Sequence, residues 1–111
     1  MTPQLVAGLE PPYYTAVFTS VRPDAPEGYA ETAAELRDVV GSVPGFLGYE
    51  SARTPGGIGI TVAYFRDVEA LDVWRLDARH QAAKAHGREH WYDSYSVHIG
   101  KVERSYSFER E

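Results

Sequence analysis

At 111 residues with a hydrophobic share of 43%, the chain has the length of one domain with a single core. Its aromatic content of 13%, including eight Tyr and two Trp, excludes a disordered polymer. The net charge of −5 with scattered basic residues gives no general attraction to nucleic acid or to anionic membranes, and the lack of Cys rules out disulfides, thiolate zinc sites and a Cys nucleophile.

Residues 1–12 read as an N-terminal arm ending at Pro11-Pro12, without the basic and apolar regions of a secretory signal. No apolar run approaches the roughly 20 residues of a membrane span, so a cytoplasmic protein is expected. The domain proper is placed at 13–111. Tyr13 to Val21, β-branched and aromatic, predicts a strand. Asp24-Ala25-Pro26-Glu27 has the form of a capping box. After it, Tyr29, Ala33, Leu36, Val40 and Val43 recur at spacings of four and three, which predicts an amphipathic helix. Glu27, Glu31, Glu35 and Asp38 fall on its opposite, solvated stripe.

Pro44-Gly45 ends that helix. Phe46 to Arg53 predicts a second strand, Thr54-Pro55-Gly56-Gly57 a turn, and Ile58 to Phe65 a third strand. Ile58, Ile60, Val62 and Tyr64 share one face of that strand. Gly59, Thr61 and Ala63 share the other, where small residues leave room for another layer or a ligand. Asp67 can cap a helix through Trp74 and Leu76, and a further helical segment runs from about Ala78 to Trp91. Whether a break at Asp77-Ala78 divides the two is left open. The last strand is expected from Tyr95 to Phe108, with a β-bulge near Gly100-Lys101 where the apolar alternation slips.

The order β-α-β-β-α-β is the split βαβ unit of the ferredoxin-like α+β fold with an antiparallel sheet. Helices cover one sheet face, and burying the other against a second copy predicts a homodimer.

Three stretches resemble the antibiotic biosynthesis monooxygenase family. Pro44-Gly45-Phe46-Leu47-Gly48 is similar to its turn into the second strand. Ile60 to Trp74, with Glu69-Ala70, is similar to its strand-to-helix segment, and His80-Gln81-Ala82-Ala83 through Gly87-Arg88-Glu89-His90-Trp91-Tyr92 to the following helix. The resemblance implies a dimeric α+β barrel with a pocket between helices and sheet in each subunit. It also implies one of two oxygen chemistries: cofactor-free conversion of aromatic polyketide anthrones to quinones, or heme binding with ring opening. Members of the first kind carry an Asn one helical turn before the Trp, where this chain has Ala70. Members of the second carry an Asn on the first strand and a His ten residues after the Trp, where this chain has Lys84. The sequence contains no Asn, and Trp74 alone matches either set.

The residues offer a short set of candidates. Trp74 either stacks on a flat substrate, as the resemblance implies, or is core. His80 shares a helical face with Gly87 and Trp91; an inward imidazole is a general base, a heme ligand, or a side chain satisfied by a backbone carbonyl. Trp74 and His80 are the catalytic candidates. Thr61, Tyr64, Arg88 and Trp91 are the substrate-binding ones, with Thr19 a further strand hydroxyl. His86 and His90 have a spacing that can serve one metal, but without a third ligand nearby no metal site is expected.

No dinucleotide fingerprint, Walker loop or nucleophile elbow is present. The leading expectation is a monooxygenase of a small aromatic or polyketide-like compound that needs no bound cofactor, a base removing a proton so that the carbanion reduces oxygen. The alternatives are a heme protein with His80 or His86 as axial ligand, and a dimeric binding module without activity. The expected partners are a second copy and a small-molecule ligand, with neither nucleic acid nor membrane.

Overall fold

The computed structural model describes residues 4–23 and 26–111. Seven elements follow in order: β1 (Tyr13–Val21), α1 (Tyr29–Gly41), β2 (Phe46–Arg53), β3 (Ile58–Phe65), α2 (Val68–Leu76), α3 (Ala78–His90) and β4 (Ser94–Val102). The strands form one sheet in the order β2-β3-β1-β4, antiparallel throughout. This is the ferredoxin-like α+β arrangement expected from the element order, with the second helical stretch split in two. Among the described residues no helix is long and apolar enough to cross a membrane.

Residues directly opposite across antiparallel strands share a sheet face. The register therefore lays out the helix-facing side as four rows. From one end they read Arg53–Gly59–Ser20–Tyr95, Ser51–Thr61–Phe18–Val97, Tyr49–Ala63–Ala16–Ile99 and Phe46–Phe65–Tyr14–Lys101. The last row anchors the core. Phe65 is fully buried and clusters with Val40, Val43, Ala70 and Leu71, while Phe46, Ala63 and Trp74 pack against them. The outer face carries Ile58, Ile60, Val62 and Tyr64 from β3, opposite Val21, Thr19, Val17 and Thr15 of β1.

Local chemistry sets the joints. In the β2–β3 hairpin Gly57 N–H donates to Thr54 O at 2.9 Å, Pro55 holds its own φ, and Gly56 takes φ +66°, the position a type II turn reserves for Gly. The proposed cap at Asp24-Ala25 lies outside the described residues. The helix itself begins at Tyr29, with Gly28 as N-cap and no side-chain cap bond. The open question at Asp77 resolves as a real break, because Asp77 ends α2 and its carboxylate accepts from the backbone N–H groups of Arg79 (2.9 Å) and His80 (3.4 Å) to start α3.

Two strand expectations need correction. β4 stops at Val102 rather than continuing to Phe108, and it pairs with β1 in unbroken register from Ser94 to Val102, with no slip at Gly100-Lys101. Its partner strand starts at Tyr13, directly after Pro12, which has no N–H to extend the ladder. Beyond Val102 no pairing forms among the described residues, and residues 103–111 form neither helix nor strand. The irregularity in the sheet sits instead in β2, between Phe46 and Gly48.

Candidate functional site: a cleft between the helices and the sheet

The second, small-residue face of β3 turns toward the helices. Gly59, Thr61 and Ala63 contribute little volume there, and Ala33 on α1 contributes little from above. The result is a cleft of about 310 Å³ between the sheet, α1 and α2, at the small end of the range of small-molecule pockets. Its apolar wall comes from Phe18, Leu36, Val40, Phe46, Tyr49 and Trp74, and its polar groups from Ser20, Ser51, Thr61, Arg22, Arg37 and Arg53. The amphipathic face of α1 points inward as its periodicity predicts, but Tyr29, Ala33 and Leu36 line the cleft instead of closing a core.

Trp74 lies on the cleft wall. Its indole N–H has no acceptor among the described residues. One ring face is taken by His80, stacked at a centroid distance of 4.0 Å and 13° between planes. The two catalytic candidates are thus brought together, but His80 stands behind Trp74 and does not itself line the cleft. His80 Nδ1 lies 3.0 Å from Trp74 O. A carbonyl only accepts, so Nδ1 carries the proton and Nε2 keeps its lone pair. Burial holds the imidazole's pKa below its ordinary 6.5, with Lys84 acting in the same direction, against the Trp74 hydrogen bond and Asp77. His80 is therefore neutral at pH 7.

The substrate-binding candidates separate. Thr61 lines the cleft and exchanges a 2.8 Å hydrogen bond with Ser51. Tyr64 is on the outer face of the sheet, where its hydroxyl donates to Glu50 Oε1 at 2.7 Å; burial first, then that carboxylate, pushes it up to about 12. Thr19 shares that outer face. Arg88 is exposed and donates to the Tyr95 hydroxyl at 3.0 Å. Trp91 is buried with its indole N–H on Glu27 O at 2.9 Å, and its ring packs on Tyr29 and His86. None of Tyr64, Thr19, Arg88 and Trp91 borders the cleft. Alternation of side chains along β3 already separates Thr61 from Tyr64, so the two cannot serve one pocket.

His86 and His90 have their rings 4.5 Å apart, yet no group of three potential metal ligands occurs among the described residues. Neither His80 nor His86 borders the cleft, so neither is placed as the axial ligand of a heme held there. Ala70, where quinone-forming members carry Asn, is buried in the core with its N–H on the Asp67 carboxylate at 2.8 Å.

Sequence reasoning passed over the three cleft arginines. Arg53 lies across Gly59, and a Cβ there would come within 2.5 Å of its guanidinium. A lone Gly inside a strand signals just such an approach, so Gly59 was the available clue. Arg53 Nη1 donates to Gly57 O at 2.8 Å and Nη2 to Ser20 Oγ. Arg22 lies over the Tyr29 ring at 4.0 Å, and its buried Nε has no hydrogen-bond partner among the described residues.

Comparison with known proteins follows the same architecture. Residues 12–86 match the family model for antibiotic biosynthesis monooxygenases. The uncharacterized protein YqjZ of Bacillus subtilis is 46% identical over 100 residues, covering 90% of this chain and 88% of its own. The jasmonate monooxygenase ABM of Pyricularia oryzae is 30% identical over 90 residues, covering 78% of this chain, which spans only 41% of that protein's length. Among solved structures, an N63A mutant of SnoaB, a cofactor-independent oxygenase from Streptomyces nogalater, superposes with a TM-score of 0.72 at 13% identity, covering 86% of this chain and 97% of its own. Protein SO0527 of Shewanella oneidensis gives a TM-score of 0.70 at 16% identity, covering 82% and 91%. On the sequence matches, with the fold in agreement, this chain belongs to the antibiotic biosynthesis monooxygenase family.

Proposed function

We propose that this protein is a monooxygenase that works without a bound cofactor on a small aromatic or polyketide-like compound held in the cleft. The observation that carries the reading is Trp74: a flat indole on the wall of an apolar cleft, its N–H unclaimed by any described residue and its far side backed by His80. Family membership supplies the reaction class, and relatives with the same fold include a cofactor-independent oxygenase.

An activated CH₂ group of the substrate loses a proton, and its carbanion reduces O₂ to form a carbon–oxygen bond as the hydroperoxide. Loss of water from that carbon leaves a carbonyl, so one oxygen atom enters the product and the other leaves as water. The apolar walls limit water around the reacting carbon. The three guanidinium groups favour the anionic form of the substrate, lowering the cost of deprotonation. His80 serves as a positioning residue, holding the Trp74 ring through the stack and the Nδ1–H hydrogen bond to Trp74 O, because it reaches the cleft only through that ring. The outer face of the sheet, with Ile58 and Ile60 about half exposed, packs against a second copy in this reading, and the functional unit is a homodimer.

The test is turnover of an anthrone under ¹⁸O₂ with chelator-treated protein and no added flavin or heme. One labelled oxygen per quinone, formed faster than spontaneous oxidation, is the expected result. Product formation at only the spontaneous rate, or only on adding a cofactor, would overturn the proposal.

A further inference from the structure

We propose that the ligand of this cleft is an organic carboxylate, with its acid group held by Arg22, Arg37 and Arg53 and its flat apolar body lying toward Trp74. The proposal rests on the cleft being the substrate site and names the substrate's chemical class.

Among the described residues, three cations line the cleft and no acidic residue does. The chain is acidic overall, at −5, and three of its six arginines elsewhere pair with carboxylates: Arg66 with Asp67, Arg75 with Asp72 and Arg79 with Asp77. Among the described residues, Arg22, Arg37 and Arg53 form no such pair. The hydrogen bonds of Arg53 among the described residues end on Gly57 O, Ser20 O and Ser20 Oγ, and that of Arg22 on Pro23 O, all neutral acceptors. Arg22 Nε is buried and has no hydrogen-bond partner among the described residues. Partly buried cations such as Arg22 and Arg53 beside apolar walls are costly without a counterion, and a planar guanidinium is the side chain best shaped to receive a carboxylate.

Position within the sheet gives the ligand its length. The Arg53–Gly59–Ser20 row lies four residues along the strands from the Tyr49–Ala63–Ala16 row, a separation of about 13 Å. Trp74 packs at the second end, against the same buried cluster as Ala63 and Phe46. The arrangement suits a molecule of two or three fused rings with an acid at one end. Gly59 is part of the device, because only a residue without Cβ lets the Arg53 guanidinium lie flat on the sheet floor.

The experiment is calorimetric titration of the whole protein with 2-naphthoate, methyl 2-naphthoate and 2-naphthyl phosphate at low and high salt. The acid is expected to bind about tenfold or more tighter than its ester, as charge-assisted hydrogen bonds would give, with salt weakening only the charged probes. Arg53→Gln and Arg37→Gln should each reduce the preference for acid over ester. Gly59→Ala leaves every arginine in place but displaces the Arg53 guanidinium, and should reduce it too; this variant guards against loss of folding in Arg53→Gln. Equal binding of acid and ester, a preference untouched in all three variants, no binding of the acid below about 1 mM, or a phosphate much tighter than the acid would each overturn the carboxylate assignment. Binding is read without turnover, so its outcome is separate from that of the oxygen-labelling test.

Discussion

His80 couples the site to pH. Its folded-state pKa is depressed, mainly by burial, so the native state resists protonation that the unfolded chain accepts near 6.5. As pH falls through that value the unfolded state binds more protons, and stability drops. Urea unfolding at pH 7.5 and 5.5 should therefore show a loss on acidification that is smaller in His80→Gln; an equal loss in both proteins would contradict the buried, neutral assignment. The depressed carboxyls of Asp67 and Asp77 work lower down. Asp67 is held mainly by the N–H of Ala70, Asp77 mainly by Arg79. Their contribution is present above the usual carboxylate value of 3.8 and fades as pH falls below it. His80 was readable as inward-facing from helical spacing, and Trp74 was singled out by the family resemblance. Their mutual stack was not, because it depends on the turn that Asp77 imposes between α2 and α3.

Helix α3 carries a glycine where propensity argues against one. Replacing a helical Gly by Ala normally adds about 0.5–1 kcal/mol. At Gly87 a Cβ would fall 2.7 and 2.9 Å from the Tyr92 ring, which is itself boxed in by Phe18, Tyr29, Trp91 and Tyr95. Overpacking of this kind costs about 1–3 kcal/mol, so Gly87→Ala should lower the melting temperature. A rise would mean that Tyr92 moves freely. The boundaries of β1, β2 and β3 were legible because prolines, glycines and alternation mark them within the segment itself. The end of β4 was not, since it is decided by where β1 begins, some ninety residues earlier. The cleft arginines were hidden for the same reason: Arg22, Arg37 and Arg53 lie on three segments and come to line one cleft only through sheet register and helix packing.

At the scale of the whole molecule, several apolar side chains among the described residues remain uncovered. Ile58 and Ile60 are 52% and 45% exposed on the outer sheet face, and Tyr106 and Phe108 in the terminal segment are 101% and 79% exposed. The proposed homodimer covers the sheet face, and sedimentation should give twice the chain mass of 12.4 kDa. Ile60→Asp should shift the equilibrium toward monomer, because an unpaired charge in an apolar interface is strongly unfavourable. A wild-type monomer at about 10 μM, well above the Kd of ordinary stable dimers, would count against that arrangement. Family and ferredoxin-like architecture were both legible in the sequence. What the sequence did not reveal was that the cleft is cationic, or that of the proposed binding residues only Thr61 borders it. The sharpest check on the cleft as the reaction site is oxygen uptake with an anthrone by wild type and Trp74→Phe, each with its melting curve. If the indole N–H contacts the substrate, kcat/KM should fall about tenfold at little cost in stability. An unchanged kcat/KM in a folded Trp74→Phe protein would contradict the role given to that indole.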